Sequence, residues 1–279
     1  MWEVMLWPLV ACVILPPLLV YLGLHVVQRG IIFIDIAMAQ MASLGFCVGT
    51  IYGLELEDPR NLAIALGFTI VAAALFSFTN KSESEVPQEA IIGIAYVVAA
   101  ATAVLVLSQS AHGDEEINNM LDGNIQLVTK EEIAKAAGLF AFVGLVHGVF
   151  RRQLLRASYH RADARAQGMR MRAWDFLFYA LFGLVVTSFV RIAGVLLVFS
   201  YLIVPAVCAV LFARGIAMRI FIGCLVALLG GVGGLIWSFK KDLPTGAAIV
   251  CMLGALLVTS ALMAPLVRAS TQALRRRHA

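Results

Sequence analysis

RRQLLRASYHRADARAQGMRMRAWD, from Arg151 to Asp175, is the longest strongly polar interruption in an otherwise apolar chain. Seven arginines (Arg151, Arg152, Arg156, Arg161, Arg165, Arg170 and Arg172) precede Asp175 against a single acid, Asp163. Short loops rich in Lys and Arg stay on the cytoplasmic side of a membrane protein, so this loop orients the spans that flank it. Its middle, Ala162 to Met169, has good helix formers up to Gly168, a residue suited to a helix C-terminus. A short basic helix held at the cytoplasmic face would be open to a soluble partner. From charge alone, a topology anchor and nothing more is the better reading.

The rest of the chain makes the membrane reading firm. Of 279 residues, 61% are hydrophobic and 14% charged, where globular domains carry about a quarter charged. Runs long enough to cross about 30 Å of hydrocarbon recur from end to end. They predict an all-α, polytopic membrane bundle of about nine helices, one domain over residues 1–267, with a basic cytoplasmic tail at 268–279. The net charge of +4 then speaks to topology and gives no reason to expect a nucleic-acid partner. Five cysteines (Cys12, Cys47, Cys208, Cys224 and Cys251) fall inside apolar runs without paired spacing, as small buried hydrophobes do. No basic segment or small-residue cleavage site precedes the first run, which reads as a retained transmembrane helix.

In order, the expected helices cover about 4–26, 31–52, 62–78, 90–107, 133–150, 174–190, 192–213, 220–237 and 246–267. The pair Pro16-Pro17 should kink the first. A turn at Arg191 should separate the sixth from the seventh, and Gly230 and Gly234 are spaced for close helix contact. With the arginine loop inside, Arg29, the Arg214–Arg219 turn and the C-terminus fall on the cytoplasmic side. The N-terminus and the acidic segment 108–132 fall outside.

Chemistry is sparse. GxxxxGK[ST], HExxH and CxxC are all absent, so the chain does not grip nucleotide phosphates by a P-loop. Asp35 is the one carboxylate well inside an apolar run, and a charge there costs several kcal/mol unless it meets water or a partner. It serves either a transport pathway or a structural anchor near the interface. The histidines (His25, His112, His147, His160 and His278) are scattered without ligand spacing.

Five stretches together resemble one family. SYHRADARAQGMRMRAWDFL, VRIAGVLLVFSYLIVPAVCAVL and NNMLDGNIQLVTKEEI look like the membrane subunits of the ABC-3 family, the permeases of bacterial zinc, manganese and iron ABC importers. PQEAIIGIAYVV and RGIIFIDIAMAQMASLG add two more stretches in family order. The resemblance implies a type II importer-like permease in the bacterial inner membrane, working as a homodimer. It implies two cytoplasmic ATP-binding subunits and an extracytoplasmic metal-binding protein as partners, with no resident cofactor and a divalent metal only in transit. It places His160, Asp163, Ala164, Ala166 and Gly168 in the coupling helix that sits in the ATPase, within a loop of 151–173. His160 stands where the family usually has Asp. Gly194, Pro205 and Gly123 take gate or packing roles. Along the second helix the family commonly carries Asp and His four residues apart, where this chain has Ile36 and Gln40. Asp35 is one residue early, about 140° round from Gln40, so Asp35 and Gln40 are expected along the pathway without sharing one ion. Two other classes remain open: a gradient-driven transporter using Asp35, and a membrane scaffold that recruits a soluble protein through the arginine loop.

Overall fold

A computed structural model describes residues 2–56, 58–79, 86–108 and 128–277. Twelve helices make up the secondary structure among them. They are α1 (Trp2–Ile14), α2 (Pro16–Arg29), α3 (Ile34–Ile51), α4 (Pro59–Thr79), α5 (Gln88–Leu107), α6 (Lys130–Val149), α7 (Arg151–Tyr159), α8 (Arg161–Ala166), α9 (Met171–Ala193), α10 (Val195–Phe212), α11 (Ile216–Lys241) and α12 (Thr245–Arg277). Nine spans among the described residues are long and apolar enough to cross a membrane, α1 and α2 together making the first. The all-α membrane architecture expected from the hydrophobic runs is therefore present, with its spans in the expected order.

Four boundaries depart from the sequence reading, three of them for an evident local reason. The proline pair does more than kink the first span. Pro16 and Pro17 occupy the first positions of α2, where a missing N–H is harmless, and so split it into two helices. α6 begins earlier than the first apolar residue because Thr129 and Glu132 form a reciprocal capping box. The expected turn at Arg191 lies at Gly194 instead, with φ 78° and ψ 161°. That backbone region is essentially restricted to glycine, so Gly194, rather than the charge before it, decides where α9 stops. α12 also continues to Arg277, through the basic residues read from the sequence as a tail.

Four spans form the centre. About two-thirds of α3 and 61% each of the first, sixth and seventh spans are buried, against 22–39% for the others. α3 packs on α4 and α5, and α9 on α4, while α10 packs on α2, α11 and α12. Lipid gives helices little hydrophobic reason to associate, so close backbone approach through small residues must hold them. The Gly230/Gly234 pair does this as expected: a Cβ on Gly234 would lie 2.5 Å from the Ile249 Cα of α12. Phe178, Tyr179, Phe182 and Phe189, fully buried, make α9 the aromatic spine of the molecule.

Candidate functional site

The arginine loop is folded, and its fold explains its sequence. In α7, Leu154, Ala157 and Ser158 are buried while Arg151, Arg152 and Arg156 are exposed. The chain turns at His160 into α8, where Ala164 sits at 3% exposure in a small cluster with Ala157 and Met171, flanked by Met169 and Trp174. Gly168 ends the helix at φ 75°; its N–H donates to the Arg165 carbonyl at 3.0 Å, and the Met169 N–H donates to the Ala164 carbonyl at 3.1 Å. This is the left-handed glycine cap that the position of Gly168 predicted. His160, Asp163, Ala166 and Gly168 are exposed. Ala164 differs from them: its methyl group seats α8 against its own chain. A cleft of about 710 Å³ beside α8 is lined by Arg152, Arg156, Gln167 and Trp174, among others.

Beneath this segment lies an ion-pair network that no local motif announced. Asp175, in α9, accepts from Arg29 Nη1 at 2.7 Å and from Arg161 Nη2 at 2.5 Å. Arg29 Nε donates to Ser158 Oγ at 2.8 Å, and Ser158 Oγ meets His25 Nδ1 at 2.8 Å. The Arg29 guanidinium lies 4.0 Å over the Phe178 ring, a cation–π contact strengthened by desolvation. The side chains of Arg29 and Asp175 are each 1% exposed, that of Arg161 26%. Removing one partner from such a buried pair strands the other charge. Asp175 closed the polar stretch in the sequence, at the very start of the expected sixth helix; because α9 starts at Met171, it lies a turn inside the helix as a buried carboxylate.

The histidines also group. His25 and His147, far apart in sequence, lie with ring centroids 6.4 Å apart. Tyr21 packs edge-on to both. Both imidazoles are buried, although nothing in their sequence spacing brings them together. The cause is the network just described, which gives His25 a polar partner inside the bundle, while His147 Nδ1 pairs with the Val143 carbonyl at 2.9 Å. Their Nε2 atoms have no hydrogen-bond partner among the described residues. The Arg29 guanidinium acts on both imidazoles, and a cation so placed disfavours a divalent metal between the rings. Tyr159, edge-on to His25, lies outside the spans; burial pushes its hydroxyl above its ordinary pKa range against the pull of Arg219. Arg29, the arginine loop and Arg219 thus gather at one end of the bundle, together as the sequence grouped them.

Asp35 occupies the first turn of α3, 1% exposed, and neither carboxylate oxygen has a hydrogen-bond partner among the described residues. Gln40 is only half-buried, and so is Ile36 one turn before it. Asp35 therefore faces its own bundle, while Ile36 and Gln40 share the more open face of α3. No three His, Cys, Asp or Glu side chains converge as a metal site among the described residues. Pro205 is buried in α10, close to Gly223 of α11. Gly194 forms the α9–α10 joint. Gly123 and the acidic segment around it lie outside the described residues.

Known proteins place this architecture. The chain is 22% identical over 244 residues to the manganese transport system membrane protein MntC of Halalkalibacterium halodurans, covering 88% of this chain and 82% of that protein. It is 25% identical over 244 residues to the manganese import system permease protein ScaB of Streptococcus gordonii, covering 87% and 85%. Its fold matches a chain of PsaBC from Streptococcus pneumoniae, solved in complex with Fab, with a TM-score of 0.77 at 23% identity over 92% of this chain and 90% of that one. The family model described as ABC 3 transport family matches residues 1–264, and this polytopic helical protein belongs to that family.

Proposed function

We propose that the chain is the membrane-spanning permease subunit of an ATP-driven importer for a divalent transition metal, manganese or iron, free or as a chelate. The observation that carries this reading is the arginine segment: a short helix, capped by Gly168 and seated by Ala164, presents His160, Asp163 and Ala166 outward. A basic cleft lies beside it. Such a surface suits a soluble subunit that supplies the nucleotide chemistry this chain lacks. The curated relatives are named for manganese transport, which supports the cargo class. Cargo would pass at an interface between two copies, bordered by the open face of α3 with Ile36 and Gln40. Two cytoplasmic ATPases would drive it and an extracytoplasmic metal-binding protein would deliver it. The arginine segment and the C-terminus would then face the cytosol of a bacterial inner membrane, with the N-terminus outside.

The test is uptake of radioactive manganese into proteoliposomes carrying this chain and its ATPase, with the binding protein added outside. The proposal expects uptake that requires hydrolysable ATP and survives an uncoupler. Uptake without ATP that an uncoupler abolishes would establish instead a gradient-driven carrier, in which the unpartnered Asp35 carboxylate would be the proton or ion carrier. A folded complex that transports nothing would favour the scaffold.

A further inference from the structure

The buried network under the arginine segment joins three elements, the segment itself, α2 and α9. We propose that Asp175 is the positioning residue of coupling: it ties the docking helix α8, through Arg161, to α2, through Arg29, so that displacement of α8 is passed into the membrane helices. The inference rests on the importer reading above.

The argument is mechanical and electrostatic. Arg161 is the first residue of α8, and both its terminal nitrogens reach Asp175, at 3.3 Å to Oδ1 and 2.5 Å to Oδ2. The same carboxylate holds Arg29, the last residue of α2. Arg29 returns to α7 through Ser158. One carboxylate therefore bridges the docking segment, α2 and α9. The Arg29–Asp175 pair is 1% exposed on each side, and separating buried, paired charges is far costlier than shifting apolar side chains past one another. A push on α8 is thus transmitted rather than absorbed locally. α2 then packs on α10 at a close approach: Gly23 lies directly against the Leu202 carbonyl, one turn before Pro205 and Ala206. The route runs from α8 through Asp175 and Arg29 to the α2–α10 contact at the centre of the bundle. A merely stabilising pair would need only Arg29; the contact from α8 is the part that stability does not explain.

Arg161 is the member to change, since its removal leaves Arg29 paired. In the reconstituted complex with ATPase and binding protein, Arg161→Gln should retain co-purifying ATPase and ATP hydrolysis. Manganese taken up per ATP hydrolysed should fall about tenfold, the size of a typical coupling free energy between sites. Arg161→Lys, which keeps a cation at the carboxylate, should recover most of the ratio. An unchanged ratio in Arg161→Gln overturns the proposal. So does a loss of ATPase binding in which hydrolysis and uptake fall together, for that would make Arg161 a docking contact. If the unsubstituted complex neither hydrolyses ATP nor imports manganese, the importer reading itself fails.

Discussion

Asp175 and Asp35 are both buried carboxylates near one end of the bundle, yet the structure treats them oppositely. Asp175 is satisfied by two guanidinium groups, whereas Asp35 has no hydrogen-bond partner among the described residues. Asp175→Leu leaves Arg29 buried without its counter-charge, and the folded state should lose about 3–5 kcal/mol, seen as a lower unfolding midpoint in detergent. Asp35→Asn removes an ionisable group and nearly keeps the shape, so its midpoint should equal or exceed that of the unsubstituted chain, because an unsatisfied buried group contributes nothing to lose. A marked drop in the same unfolding assay would reveal a partner for Asp35 and make it a structural anchor. The sequence singled out Asp35 because a lone acid in an apolar run is conspicuous. Asp175 escaped notice because its partner Arg29 is 146 residues away. A pairing of that kind has no local signature.

Among the helices, legibility follows the same division between local and distant causes. The Thr129–Glu132 capping box and the Gly168 cap are both short-range devices; the Gly168 stop was expected from the sequence, whereas the capping box starts α6 ahead of the apolar run that marked the expected helix. The joint at Gly194 was equally local, but a conspicuous arginine three residues earlier drew the boundary away from it. The inward turn of Ala164 depends on Ala157 and Met171 meeting across the fold of α7, α8 and α9, which helix propensity cannot supply. This changes which substitutions probe docking. Ala164→Glu places a carboxylate in an apolar seat and should lower stability by about 1–3 kcal/mol. Ala166→Glu, on the exposed side of the same helix, should fold normally and reduce stimulation of the partner ATPase several-fold. The contrast is read by pairing an unfolding midpoint with a hydrolysis assay. Equal losses of stability in the two variants would place Ala166 in the packed face as well.

At the scale of the molecule, the nine spans among the described residues and their order were legible, because each hydrophobic run must cross the bilayer with its backbone bonds satisfied internally. Which helices form the centre was not, since runs that face lipid and runs that face protein are equally apolar. The burial of α2, α3, α9 and α10 emerges only from packing. That arrangement sets a polar end, where the arginine segment rests on Arg29 and Asp175, against helices that would border the cargo path. Its meaning depends on what grasps the segment. Site-directed cross-linking tests this in native membranes, using Ala166→Cys in a chain otherwise freed of cysteine and a short thiol-to-amine reagent. The account predicts an adduct between position 166 and a nucleotide-hydrolysing subunit, formed only when the reagent reaches the cytosol. Labelling of position 166 by an impermeant reagent applied to intact cells, with no such adduct, would contradict it.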